Sequence, residues 1–519
     1  MKKLLIAAIA LASGLSLSAQ APKIPHSEAE DTHHIMSHQY WNIWNAEEQA
    51  RIDADIDAYR KADAVFKTGK VRKGTQVKVE QISSEFVFGA SAFNWNQLGS
   101  KKANARYRET FGTLFNRATI PFYWKDFEMN PGNMRFAETK WDTEQWWAKQ
   151  TAPKFQPHWR RPATDPIVDY CEAHGVAVHG HPLVWGSRKW QFPRWVQIDG
   201  IPEQERRALD TLEFMCFNSS GGHADSWSEM TPARIAELVP TYIEMQERAV
   251  ERRVSAIMSR YEGRISSWDI VNESAVDYFR DSNAPDSPML KSNYGLLYTD
   301  YTYKAFKYAE PLDEGHTALF NINDYWVKDD TYLRQVKDLV RRGCRIDVVG
   351  SQMHLFDPRQ CLDIAAGTYK DAKLVNPEPI RKFFAELGSA GIPTCLSEIT
   401  ITSAGDGFRG EMIQAIIARN LYRIWFSLPS MMGITWWNVV DDCGAAGEPT
   451  ISGIYHRDMT PKAAYFALDE LINHEWRTNE SLTPDSKGNV SWRGFKGKYR
   501  ITWIDRKGVE HVEYFEVNQ

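Results

Sequence analysis

Cysteine is scarce in this chain: six residues among 519, dispersed at Cys171, Cys216, Cys344, Cys361, Cys395 and Cys443. That spacing excludes a dense disulfide framework and does not resemble a metal-binding cluster. Most of the six are expected as buried thiols, with one bridged pair permitted by export. The formal net charge is only -5 and no long basic block occurs, which argues against nucleic acid or an anionic membrane as partner. After the N-terminal stretch, no segment holds eighteen uninterrupted apolar residues, so no integral membrane segment is expected. The histidines have no convincing ligand spacing; neither a metal nor a cofactor is expected.

Aromatic residues, by contrast, are abundant: 20 Trp, 21 Tyr and 24 Phe. Many belong to a core, and flat rings also suit the apolar faces of sugars. At the N-terminus, Lys2 and Lys3 precede LLIAAIALASGLSLSAQA, with small residues at Ala19 and Ala21. A basic start, an apolar centre and small residues predict a cleaved signal peptide over 1–21, hence export to the periplasm or outside the cell. Residues 22–44 are polar, carry His26, His33, His34 and His38, and read as a flexible leader. Residues 46–67 have helical spacing and TQVKVEQ alternates like a strand. The whole of 22–79 is expected as an N-terminal extension packing on the main domain.

Eight short apolar segments follow: EFVFGA (85–90), RATI (117–120), VAVHGH (176–181), SSWDIV (266–271), TALFNI (317–322), IDVVGS (346–351), PTCLSE (393–398) and GITWWN (433–438). Helical patterns or long connections separate them. The fold class this predicts is α/β, a (β/α)₈ TIM barrel over 80–475. Residues 182–262 are its candidate insertion, and the Gly-punctuated alternation of 476–519 predicts a small C-terminal β appendage. The appendage's expected use is to close off the N-terminal strand-like segment.

Barrel sites form at the C-terminal ends of the strands. Those ends carry His179 and His181, Asn272 and Glu273, Asn321 and Asn323, Gln352 and His354, Glu398, and Trp436, Trp437 and Asn438. One polar residue past a buried strand means little; recurrence on several strands marks a site. Glu273 ends the fourth segment and Glu398 the seventh, so the two can face each other across the mouth. Paired carboxylates hydrolyse glycosides, retaining when about 5–5.5 Å apart and inverting when about 6.5–9.5 Å apart. The sequence alone leaves that choice open.

GHPLVW (180–185), WDIVNE (268–273), SQMHL (351–355), SEI (397–399) and GITWW (433–437), in this order, resemble glycoside hydrolase family 10, the endo-β-1,4-xylanase family, over roughly 80–475. The resemblance implies a retaining enzyme acting on xylan or another β-linked glycan, with Glu273 as acid/base and Glu398 as nucleophile. It implies that Asn272 holds the sugar 2-hydroxyl, and that Gln352 and His354 sit beside Glu398. It puts His181 against the sugar before the scissile bond, Trp437 as a stacking ring, Trp185 in the pocket wall and Lys125 in distal sugar recognition. The chain departs from the family pattern at Gly186, where a second histidine is usual. It departs again in ATIPFYWKDFE (118–128), which lacks the Glu-Asn pair and shifts Lys125 when Glu128 is aligned. Distal recognition is therefore expected to differ, with the loop bearing Arg188, Trp190, Phe192, Arg194 and Trp195 narrowing the cleft. An exo-acting β-xylosidase of the same clan and a non-catalytic glycan-binding protein are the alternatives. The oligomeric state is not encoded in these motifs.

Overall fold

The computed structural model describes residues 21–69, 71–72, 74–186, 191–216, 232–275, 297–325, 330–371, 375–405 and 407–518. Apart from Ala21, the expected signal peptide lies outside them. In chain order, β1 (Lys61–Lys67) and β2 (Val77–Ser84) precede the barrel strands β3 (Val87–Ser91), β4 (Arg117–Pro121) and β5 (Ala177–His181). A two-residue strand, β6 (Val184–Trp185), then leads to β7 (Ser267–Asn272), β8 (Leu319–Tyr325), β9 (Val348–Leu355), β10 (Thr394–Ile401) and β11 (Met431–Trp436). The parallel order β5-β4-β3-β11-β10-β9-β8-β7, with β7 pairing back to β5, closes an eight-stranded barrel surrounded by helices. The (β/α)₈ expectation holds, and each of the eight apolar segments overlaps a strand of the barrel.

These strands form because they are buried on both faces. Every residue of β4, β7 and β10 is buried, as parallel strands covered by helices require. Packing inside the barrel also dictates a glycine: a Cβ on Gly180 would stand 2.2 Å from Trp268 Cε3. That close approach explains GHPLVW locally. Among the described residues, the helices of the candidate insertion span Arg194–Ile198, Glu203–Cys216, Pro232–Leu238 and Pro240–Arg260. Among the described residues, no helix is long and apolar enough to cross a membrane.

Both ends of the chain meet in sheets beside the barrel. β1 pairs antiparallel with β13 (Asn489–Phe495), and β2 lies between β12 (Asn479–Leu482) and β14 (Gly497–Ile504), with β15 (Glu510–Val517) at the edge. Phe66, Val77, Val79, Trp492, Ile501 and Trp503 share a core of their own.

Three local expectations are corrected. Residues 61–67, read with the preceding helix, form β1, whose alternating burial places Ala62, Ala64 and Phe66 inside; the deciding partner is a strand more than 400 residues away. Residues 22–44 are not a flexible leader. Ile24, Ile35, Met36, Tyr40, Trp41 and Trp44 are buried in the main core, and the Asp31 carboxylate accepts from Ile35 N and Met36 N at 2.8 Å. The permitted disulfide is not found among the described residues: Cys171, Cys344, Cys361, Cys395 and Cys443 are buried free thiols, and the Cys216 side chain lies outside the description.

Candidate active site

The polar strand ends converge at one end of the barrel. The strands that carry the two glutamates are irregular just before them. The β7–β8 register shifts between Asp269 and Val271, and the β10–β9 register between Leu396 and Glu398. Such shifts re-aim side chains at barrel rims. Glu273 itself adopts φ 51°, a left-handed conformation unusual for glutamate, held by its N–H donating to Asn323 O at 2.7 Å. The strain turns the chain sharply out of β7, directing the carboxyl back toward β9 and β10.

Gln352 joins the two carboxyls. Its Nε2 donates to Glu398 Oε1 at 3.0 Å and to Glu273 Oε1 at 3.2 Å. One donor atom within hydrogen-bond reach of both keeps these oxygens within about twice a hydrogen-bond length of each other. Asn323 Nδ2 adds a second donor to Glu398 Oε1 at 3.1 Å and also donates to Asn272 Oδ1 at 2.8 Å. Asn323 Oδ1 in turn accepts from the Ser397 hydroxyl, which orients the amide. His354 Nε2 lies 3.4 Å from Glu398 Oε2, while its Nδ1 meets Thr400 Oγ1 at 2.9 Å.

A second network lies beneath. His181 Nδ1 contacts Asp269 Oδ2 at 2.7 Å, and its Nε2 lies 3.1 Å from the Tyr123 hydroxyl and 3.7 Å from Glu398 Oε1. Asp269 Oδ2 also meets His179 Nε2 at 3.0 Å, and His179 Nδ1 meets Ser267 Oγ at 2.8 Å. His179, His181 and Asp269 are close enough together to hold a cation. All four ring nitrogens are already engaged within the chain, so the group reads as a hydrogen-bond relay.

The charges follow from burial and partners. Burial pushes the Glu398 carboxyl up to about 8, opposed by His181 and reinforced by the charges of Glu273 and Asp269. Burial also raises Glu273, opposed first by the Gln352 hydrogen bond. Taken singly, the shifts would put a proton on Glu398. The donor geometry points the other way, because the amides of Gln352 and Asn323 both point at Glu398 Oε1 with His181 and His354 close by. The two carboxyls titrate as one pair that retains a proton into the neutral range, and the donors favour the negative charge on Glu398. Burial opposes charge on Asp269, yet His179 and His181 hold it far below the usual carboxylate range. Burial alone would lower His181, but the bond to Asp269 raises it, whereas burial lowers His354 to about 4. The bond to Asp269 thus favours the protonated form of His181 beside Glu398, and burial favours neutral His354.

Aromatic rings wall the site. Trp437 packs against Phe93 at 5.0 Å and His181 at 5.4 Å, and its Nε1 donates to Glu448 Oε1 at 3.2 Å. Trp185, partly exposed, meets Tyr123 edge-on at 5.9 Å. Thus Glu273, Glu398, Asn272, Gln352, His354, His181, Trp437 and Trp185 come together. Lys125 does not: it is exposed, and the interaction that involves it is its charge acting on Asp126. Tyr123, two residues earlier, occupies the wall instead. In the long loop, Phe192 is buried against Trp124 at 5.0 Å, and Trp195 Nε1 donates to Glu128 O at 2.8 Å. Both brace the loop after β4, Arg194 is exposed, and Arg188 and Trp190 lie outside the described residues.

Asp269, Tyr123 and Glu448 escaped the sequence reading. Asp269 carried a signal, since a carboxylate inside an apolar strand demands a buried partner. Tyr123 and Glu448 carried none beyond residue type.

The sequence model of Glycosyl hydrolase family 10 matches residues 82–216 and 218–471. Over 411 residues the chain is 22% identical to endo-1,4-beta-xylanase B of Thermotoga neapolitana, covering 77% of this chain and 92% of that protein. It is 24% identical over 341 residues to the anti-sigma-I factor RsgI6 of Acetivibrio thermocellus, covering 65% of this chain but only 34% of that much longer protein. Among solved structures, native xylanase 10B from Thermotoga maritima is 18% identical with a TM-score of 0.49, covering 75% of this chain and 96% of that one.

Proposed function

Since the chain belongs to glycosyl hydrolase family 10, we propose that it hydrolyses β-1,4-xylosidic bonds of xylan or decorated xylan, with retention, by double displacement. The observation that carries this reading is the Gln352 amide shared by Glu273 and Glu398. It supports a separation on the retaining side, where an inverting pair must leave room for a water.

In the first step Glu273 gives its proton to the departing glycosidic oxygen while Glu398 attacks the anomeric carbon. A covalent glycosyl-enzyme results, and Glu273 then removes a proton from the water that releases it. Glu398 must lose negative charge as the ester forms and regain it on release; the donors from Gln352 and Asn323 and the charge of His181 stabilise that returning carboxylate. Asn272, buried beside both glutamates, is placed to bond a sugar hydroxyl at the reaction centre. Trp437 and Trp185 offer ring surfaces to the sugar.

The test is product analysis on plain xylan, arabinoxylan, glucuronoxylan, xylo-oligosaccharides and β-glucan, with NMR of the first-formed anomer. Internal xylan fragments released as the β-anomer are expected. Release of the α-anomer would overturn the double displacement. Monosaccharide removal from one chain end would move the assignment to an exo-acting β-xylosidase.

A further inference from the structure

The loop after β4 places an arginine on the aromatic wall of the cleft. Arg161 lies over the Tyr123 ring, its guanidinium carbon 3.5 Å from the centroid. The same tyrosine reaches His181 with its hydroxyl, so the guanidinium stands one ring away from His181, which in turn lies 3.7 Å from Glu398 Oε1. Its hydrogen bonding is largely unspent. Arg161 Nη1 donates to Arg160 O at 2.9 Å, and Asp126, the carboxylate it approaches, stays at 3.7 Å, beyond hydrogen-bond length. Nε is buried and has no hydrogen-bond partner among the described residues. The side chain is mostly enclosed, with 18% of its surface exposed.

The neighbouring charged groups are otherwise engaged. Arg160 Nη1 is held by Asn438 Oδ1 at 2.8 Å and Cys443 O at 2.9 Å. Glu448 is held by Trp437 at 3.2 Å, Asn438 at 2.9 Å and the Ala445 N–H at 3.0 Å. Arg160 Nε also lacks a hydrogen-bond partner among the described residues, but Arg160 is sealed at 2% exposure, so Arg161 is the part-exposed cation of the wall with donors to spare. A stacked guanidinium keeps its N–H groups in the plane of the fork, the geometry that suits a carboxylate. A neutral xylose unit offers no charged acceptor to match it.

We infer that Arg161, seated on Tyr123, is a specificity-determining residue that binds the carboxylate of a uronic acid carried by the glycan in the cleft. This deepens the xylanase reading and rests on it. The loop that the sequence marks as divergent, ATIPFYWKDFE, supplies the ring on which this cation rests.

The experiment compares xylo-oligosaccharides bearing one glucuronic acid with the same compounds after reduction of the carboxyl to an alcohol, which keeps size and removes charge. The wild type is expected to favour the acid at least tenfold in kcat/KM, the preference shrinking as salt is raised. Arg161→Met should bring the ratio to about one, and Arg161→Lys should retain part of it. A merely structural prop for Tyr123 would lower both substrates alike and leave the ratio intact, which overturns the inference. So would a wild-type ratio of one. In both cases turnover of the reduced compound leaves the xylanase reading standing. If neither is turned over, the xylanase reading fails, and calorimetry with the two compounds decides the site. Tighter binding of the acid that is lost in Arg161→Met supports it, and equal binding overturns it.

Discussion

Replacing Gln352 by methionine probes the glutamate pair at its shared atom. The substitution nearly conserves volume, so the barrel should tolerate it. It deletes the donor at 3.0 Å from Glu398 and 3.2 Å from Glu273. A hydrogen bond to a charged group contributes about 1.5–3 kcal/mol. The bond to Glu398 weakens as that carboxylate loses charge, while the bond to Glu273 strengthens as it gives up its proton, so the expected net loss is less than the full value, about 1–2 kcal/mol, roughly 5- to 30-fold in kcat/KM. The pH profile supplies the sign. The amide stabilises ionised carboxylates, so its loss raises the pKa of both glutamates. The acid limb, where Glu398 must ionise, and the alkaline limb, where Glu273 must keep its proton, should both move to higher pH, by about one unit for each 1.36 kcal/mol lost. The assay is kcat/KM from pH 4 to 10 on a xylo-oligosaccharide, with circular dichroism confirming the fold. Less than a twofold loss with unmoved limbs would refute the bridging role.

Other outcomes follow from the same geometry. Glu273→Ala should lose about a thousandfold or more on xylan and much less on an aryl xyloside with a very acidic phenol, which leaves without a proton; equal losses on both would remove Glu273 from the acid/base role. Glu398→Gln should be inactive yet more stable. The buried Glu273–Glu398 pair keeps a proton into the neutral range in the fold, whereas both carboxyls ionise near 4.5 when unfolded, so the wild type loses native stability as pH rises from 4.5 toward 8, and the variant has one buried acid fewer to ionise. The variant's gain should therefore be absent at pH 4 and reach roughly 1–4 kcal/mol by pH 8; a pH-independent difference in melting temperature would contradict it. Gly180→Ala should cost about 3 kcal/mol or more by denaturant unfolding, because its Cβ would meet the Trp268 ring at 2.2 Å; a change under 0.5 kcal/mol would show that Trp268 can move aside.

What could be read from the chain depended on range. Glu273, Gln352 and Glu398 were visible because each interrupts or ends a buried apolar strand, a purely local contrast. The barrel was visible for the same reason repeated eight times. Asp269 hid inside its strand, since nothing local says that His179 and His181 from β5 will lie against it. Tyr123 was missed because its side chain is aimed from the N-cap of a short helix, Trp124–Phe127, whose register the motif spacing does not determine. KADAVFK reads as helix from its own composition and becomes a strand only through pairing with β13. The polar stretch 22–44 looked unanchored because its few apolar residues find their partners far along the chain.

The pairing of β1 with β13, and of β2 with β12 and β14, sets an order of events during synthesis. The N-terminal strands leave the ribosome first and their partners last, after the whole barrel. Until then Phe66, Val77 and Val79 have no core to enter, and two strands present unpaired edges prone to association with other chains. A cell making this protein must shield those edges for the full length of translation. A chain cut short after residue 475 should carry the liability permanently, precipitating even where its barrel has formed.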